Sequence, residues 1–289
     1  MKTRRYSKFW LKATIGVAVV WTLLPIYWLL RLAMMPPSDA GAFPPKFWPA
    51  EFHPAAIYNI LGYAYTDSVG HVFPPAGQSQ QILLGLYNSL VVSLLVMVGT
   101  LLIIVPLAYA FARFEFKAKT ALLMAILFSV SVPPVSTLIP FYIMFSELNL
   151  TGTRTGLVLI NLTVTVPFVT WMLIGYFRNL PPIERLARID GFGRLATLVR
   201  IVIPMAKSGI AVAAVVSFLF AWNEFVFATA LVNGTDATTL PTSVSGLMFL
   251  QPQPGQLAAS LILSLIPAAL IAYFLQRHVA DMGFVDVVR

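Results

Sequence analysis

Six separate stretches of this chain are long and apolar enough to leave it few folds. A membrane-spanning helix needs about 20 predominantly apolar residues. Leu11–Leu30, Gly85–Phe111, Ala121–Phe141, Gly156–Phe177, Ser208–Val232 and Leu257–Gln276 all reach that length. Alternating apolar and polar positions between aromatic girdles, the mark of a lipid-facing strand, are missing. Inside hydrocarbon every backbone polar group must be satisfied within the protein. The stretches therefore predict an all-α integral membrane bundle of six transmembrane helices. Composition agrees: of 289 residues only 10% are charged and 58% hydrophobic, with mean hydropathy +0.83. A soluble domain carries about a quarter charged residues. There is no cysteine, which excludes disulfides, thiolate metal sites and cysteine nucleophiles.

Basic residues flanking spans face the cytoplasm. All but three of the 19 lysines and arginines fall in the N-terminal segment, in two alternate connecting segments and in the C-terminal tail; the exceptions are Arg31, Lys46 and Arg154. Six spans then place both termini in the cytoplasm. The same asymmetry, together with attraction to anionic lipid, explains the net charge of +8. A nucleic-acid partner would need a basic face on a folded domain, and none is present. The first apolar run is longer than the 7–15 residues of a secretory signal, so it reads as a retained span despite "AGA" at 40–42.

The chain reads as a single domain over residues 1–289, without internal repeats. Two outer loops are long. Residues 31–84 are punctuated by Pro and Gly and carry Phe43, Phe47, Trp48 and Phe52, which suit a segment at the headgroup layer. Residues 233–256 are polar and flexible in composition, and longer than a bare connector requires. Prolines 106, 133, 134, 140 and 167 fall inside the second, third and fourth spans. They predict either ordinary kinks or irregular helices around a polar path.

Catalytic chemistry is poorly supported. The chain has no GxxxxGK[ST] phosphate loop, no HExxH, no paired membrane carboxylates and no metal-ligand spacing among His53, His71 and His278. Only Glu224 is ionisable and clearly within a span, in "FAWNEFVFATAL". A charge there must face protein or water, so it either clamps helices together with Trp222 and Asn223 or lines a substrate path. Candidate path residues are Asn88, Asn161, Trp222, Asn223 and Glu224, with Ser89, Ser129, Ser131 and Thr163 as packing or lining hydroxyls. Ion-coupled carriers usually need several intramembrane ionisable groups, so the energy for transport would come from elsewhere.

The segment "IERLARIDGFGRLATLVRIVIP", residues 183–204, is the most charged part of the chain. Pro181 and Pro182 suit a helix start. Gly191 and Gly193 divide it into two short amphipathic helices. The second is expected to carry Leu195, Leu198, Val199 and Val202 on one apolar face and to run to Pro204. A helix laid into a partner's groove is a recurring mode of recognition.

This segment, followed by "FLFAWNEFVFATAL", resembles the signature loop and fifth span of ABC-importer permeases, most closely the carbohydrate branch and the maltose-transporter type of second permease. The resemblance covers most of the chain, including "NSL" opening the second span and "LQRHV" near the end. It implies a coupling segment at about 178–207 seated on a dimer of cytoplasmic ATPase subunits. A second permease subunit and an extracytoplasmic solute-binding protein are implied too, with ATP and magnesium held by the ATPase and no cofactor in this chain. The coupling residues it implies are Glu184, Arg185, Ala187, Asp190, Gly191, Gly193 and Pro204. The family's Glu-Ala-Ala triplet is replaced by Arg185-Leu186-Ala187, with Glu184 one residue early, and the tail "ADMGFVDVVR" departs from the branch. The implied activity is ATP-driven import of a sugar, oligosaccharide, polyol or related solute by alternating access. The alternative is an ion-coupled secondary carrier.

Overall fold

The computed structural model describes residues 3–49, 51–249 and 253–280. The atypical tail after Ala280 lies outside the described residues. The helices are α1 (Thr3–Ala33), α2 (Pro37–Ala40), α3 (Ala55–Ile60), α4 (Ser79–Arg113), α5 (Lys119–Ser131), α6 (Pro134–Glu147), α7 (Arg154–Asn179) and α8 (Glu184–Ile189). They continue with α9 (Arg194–Met205), α10 (Lys207–Trp222), α11 (Val226–Val232), α12 (Leu240–Phe249) and α13 (Pro254–Ala280). A two-stranded antiparallel hairpin pairs β1 (Tyr65–Thr66) with β2 (Val72–Phe73). The chain forms two compact units, residues 1–83 with 243–266, and residues 84–242 with 267–289.

Among the described residues, four helices are long and apolar enough to cross a membrane, and two bent pairs bring the total to six if each pair is one span. The first, second, fourth and sixth expected spans are thus single helices. The third and fifth are not. The expected continuous Ala121–Phe141 breaks between α5 and α6, which meet at 97°. A proline disfavours the helical region in the residue before it, and Val132 precedes Pro133, which precedes Pro134. Val132 and Pro133 are accordingly extended, with ψ 120° and 134°. Pro106, Pro140 and Pro167 lie inside α4, α6 and α7 without ending them.

The expected fifth span, Ser208–Val232, is likewise two helices. The chain leaves helical geometry after Trp222 and resumes it at Val226. At its other end α9 meets α10 at 81°. The turn Leu198–Val202 within α9 is widened to the i→i+5 pattern, and the Ile203 N–H donates to the Leu198 carbonyl. Pro204 has no N–H to give and its ring crowds the carbonyl four residues earlier; widening the preceding turn accommodates it. Segment 233–256 also departs from its expected flexibility, because it contains α12, whose Leu240, Val244 and Leu247 are buried.

In the second unit, α4 and α7 supply most of one core. Ile104, Ala108, Val169, Leu173 and Phe177 are fully covered there, and Leu198 and Val202 of α9 and Ala213 of α10 join them. A second core gathers Val92, Val96, Phe145, Ile160, Phe227 and Val232. Thr100 and Thr165 share a hydrogen bond of 2.9 Å between α4 and α7, both buried; such hydroxyl pairs hold helices together where lipid offers no alternative partner. Helices α7 and α10 approach closely at Gly209, where an added Cβ would stand 2.5 Å from the Tyr176 ring.

The first unit has little core. Helix α1 is exposed along most of its apolar length and buried at Ala33, while Met35 is covered just beyond it. The segment that follows folds on itself. The His53 N–H donates to the Met34 carbonyl at 3.0 Å and the Ala76 N–H to the Asn59 carbonyl at 2.9 Å. The start of α13 packs on it, with Gly255 leaving room for a Cβ only 3.2 Å from the Leu32 carbonyl oxygen.

Candidate functional site

Two places in the second unit hold some of the residues that the sequence singled out. The first is segment 183–204. Helix α8 ends in a double hydrogen-bonded cap: the Phe192 N–H donates to the Ala187 carbonyl at 2.8 Å, and the Gly191 N–H to the Arg188 carbonyl at 3.1 Å. Both bonds satisfy carbonyls a helix end would leave orphaned, and they require a left-handed residue just past the end. Gly191 supplies it with φ +81°. Gly193 is different: φ −70° and ψ 164° suit any residue, and it opens α9. The expected pair of short helices joined at glycines is what forms, with Asp190 exposed at the end of the first.

The expected apolar face of α9 is divided. Leu198 and Val202 are 8% and 3% exposed, but Leu195 and Val199 are 73% and 52% exposed. The widened turn is the reason: it keeps residues four apart nearly aligned and moves those three apart round the axis. Leu195 and Val199 thus remain uncovered, as do Leu186 and Ile189 of α8. Arg185, Arg188, Arg194 and Arg200 are also exposed on these two helices.

Glu184 does not project with them. Its carboxylate lies 3.0 Å from Nε of Arg113, an ion pair whose N–H is not directed along a hydrogen bond, and both side chains are largely covered. Arg113 Nη2 also donates to the Leu180 and Pro181 carbonyls at 2.8 and 3.0 Å, and Tyr109 lines the same small pocket as Glu184. The end of α4 therefore grips the entry to the segment. Nothing in the sequence pointed to Arg113, because its partners lie about 70 positions away. Ala187 is buried beneath α8 at 3% exposure, and Pro204 acts through the widened turn.

The second place is a cavity of about 560 Å³ where α5 and α6 bend apart. Its lining includes Ser129, Thr137, Thr163, Phe141, Phe168 and Phe220. The rings of Phe168 and Phe220 lie 5.0 Å apart and tilted by 34°. Each of the three hydroxyls donates to its own helix, to the carbonyls of Ile126, Pro134 and Ile160. Their oxygens keep lone pairs that can accept from a ligand. Among these residues only Ser129 and Thr163 were legible as candidates, and the Pro133-Pro134 break was the signal for the rest.

The expected path residues are not part of that lining. Asn88 is fully buried, its amide donating to the Asp236 and Thr238 carbonyls at 2.8 and 2.7 Å. Next to it, the Ser89 hydroxyl accepts from the Leu240 N–H. Together they pin the start of segment 233–256. Asn161 donates to Leu157 in its own helix, and Trp222 is 4% exposed and stacked on Phe218. Asn223 is exposed and donates to Leu219. Glu224 is not the expected clamp with Trp222 and Asn223. Its two carboxylate oxygens accept from the Phe227 and Ala228 N–H groups at 2.7 and 2.9 Å, capping α11 across the break.

Residues 101–281 match the family described as "Binding-protein-dependent transport system inner membrane component". The sulfoquinovosyl glycerol transport system permease protein SmoH of Agrobacterium fabrum is 29% identical over 92% of this chain and 88% of its own length. The trehalose transport system permease protein SugB of Mycobacterium tuberculosis is 28% identical over 95% of both. The fold is similar to that in a crystal structure of a bacterial ABC transporter involved in the import of the acidic polysaccharide alginate, with TM-score 0.75 and 18% identity over 97% of this chain and 99% of that one. With its apolar helices and its match over most of its length, the chain belongs to the binding-protein-dependent transport system inner membrane components and is a multi-pass ABC-transporter permease of the cytoplasmic membrane.

Proposed function

We propose that this chain is one of two permease subunits of an ATP-driven importer for a sugar, oligosaccharide, polyol or related hydroxyl-rich solute. Both termini face the cytoplasm. A pair of ATPase subunits binds ATP and magnesium and carries out hydrolysis, and a solute-binding protein delivers cargo from outside. The observation that carries this reading is the shape of segment 183–204. It offers Leu186, Ile189, Leu195 and Val199 to a partner from two helices that also carry four exposed arginines, while Leu198 and Val202 root it in the core around α4 and α7. An exposed apolar patch rimmed by charge suits a protein interface. A push on that patch reaches the spans through packed side chains, which is how ATPase closure drives alternating access here.

Several features support the substrate class. Two relatives carry carbohydrate-derived solutes in their names. The cavity at the third-span bend combines hydroxyl acceptors with aromatic faces and contains no charged side chain, a lining suited to neutral hydroxyls and the apolar face of a sugar ring. Of the earlier path candidates, the exposed Asn223 stays the most available to a moving solute.

Co-expression with neighbouring transport genes and reconstitution in proteoliposomes tests the proposal. ATPase subunits should co-purify, and uptake should require ATP and survive an ionophore. Uptake abolished by the ionophore but indifferent to ATP would replace the importer with an ion-coupled carrier. Within the segment, Arg185→Glu should alter stimulated ATPase activity and uptake while leaving melting temperature unchanged. Glu184→Ala should instead lower stability by about 1–3 kcal/mol, since it strips a covered arginine of its partner. Equal coupling in Arg185→Glu and the native protein would reduce Arg185 to an ordinary cytoplasmic charge.

A further inference from the structure

Neither the coupling segment nor the membrane cavity accounts for a second cavity, of about 600 Å³, within the first unit. Segment 34–79 and the start of α13 enclose it. Its apolar wall is formed by prolines, Met35 and Phe73, and its polar side chains are His53, Asn59, Gln253 and Gln256; no Asp, Glu, Lys or Arg lines it. His53 and Asn59 are 6% and 5% exposed, and their Nδ1 and Oδ1 atoms have no hydrogen-bond partner. Both residues are firmly held. The His53 ring stands edge-on to Tyr65 and Phe73 at 5.2 and 4.6 Å, and the Asn59 carbonyl receives the Ala76 N–H. Buried polar atoms normally find a partner, and leaving one without is costly.

We propose that this cavity is a second solute site, distinct from the membrane cavity, for a neutral hydroxyl-bearing molecule of one or two sugar rings. A hydroxyl both donates and accepts. It can pair with the Asn59 amide and the His53 imidazole, side chains of two residues that line the cavity. The exposed Gln253 amide at the mouth offers one more donor and acceptor. Phe73 and the prolines supply the apolar wall that the carbon face of a ring requires. The lack of any charged lining residue leaves an ionic ligand uncompensated, and the single imidazole cannot hold a metal. The volume falls within the roughly 300–1,000 Å³ of small-molecule sites. Nothing in this lining depends on the transport reading.

The test uses the assembled transporter in nanodiscs without its binding protein, with glucose and trehalose as probes and glucuronate and inorganic phosphate as charged controls, read by ligand-observed NMR and equilibrium titration. Glucose or trehalose should bind and the charged controls should not. Gln253→Ala, at an exposed position that folding tolerates, and the near-isosteric Asn59→Leu should each weaken binding by about tenfold or more, equivalent to one lost hydrogen bond to the ligand. Binding that survives Thr163→Val in the membrane cavity but falls with Gln253→Ala or Asn59→Leu assigns it to this site. No sugar binding, equal binding of glucuronate, or loss through Thr163→Val alone would overturn the site. ATP-driven uptake that persists without such binding would leave the importer reading standing.

Discussion

Gly191 and Gly193 look alike in the sequence, but their backbones ask for different things. Gly191 sits at φ +81° with open space where a Cβ would go, so conformation alone demands glycine there. A side chain in that left-handed region costs about 1–2 kcal/mol, and the cap that turns α8 toward α9 would weaken by that much. Gly191→Ala should therefore lower uptake per ATP hydrolysed together with thermal stability. Gly193→Ala, with φ −70° and no neighbour within 4 Å, should shift stability by less than about 0.5 kcal/mol. Melting curves and coupled uptake on the two variants check this directly, and equal losses would mean the cap is not what positions α8. Asn88 teaches a related lesson. A polar residue opening a span reads as a path candidate, yet its amide is spent on two carbonyls of segment 233–256, one of them buried, because buried backbone groups must be paired.

At the scale of elements, the breaks matter more than the helices. The Pro133-Pro134 break was written locally, since each proline constrains the residue before it. The end of α10 at Trp222 was not, and it is Glu224 that makes the restart possible by accepting from two amides of α11. The joint between α7 and α10 depends on a close approach that hydropathy does not report. Gly209→Ala would drive a methyl group to 2.5 Å from the Tyr176 ring, near its base as well as its edge, where the ring cannot simply swing away. Overpacking of this kind costs about 1–3 kcal/mol. The variant should lower the melting temperature of the purified subunit, and Tyr176→Ala in the same chain should restore it. Failure of that rescue would show that Gly209 is needed for another reason.

For the whole molecule, orientation is the property with the simplest measurement. The chain has no cysteine, so a single introduced thiol reports its own side of the membrane. Ser68→Cys, at an exposed position in the first long loop, should react with an impermeant maleimide in intact cells. Lys117→Cys, exposed between α4 and α5, should react only after permeabilisation. The reverse pattern would invert the topology inferred from basic residues. Two compact units with sparse burial in the first also fit a subunit that leaves much apolar surface to lipid and to partners, as α1 does along most of its length.

By itself the sequence determined the apolar spans, the charge asymmetry, the glycine-linked segment at 183–204 and the family that they resemble. These are sums or patterns over neighbouring residues, and any stretch of chain carries them whatever surrounds it. Tertiary structure alone decided which face of α9 is free, that Glu184 is held by Arg113, and that Asn88 fastens a loop. It also decided that residues 34–79 and 253–256 close around His53 and Asn59. Each of these depends on where distant backbone donors and acceptors come to rest, and an unpaired polar group acquires its meaning only once burial has removed water as its partner.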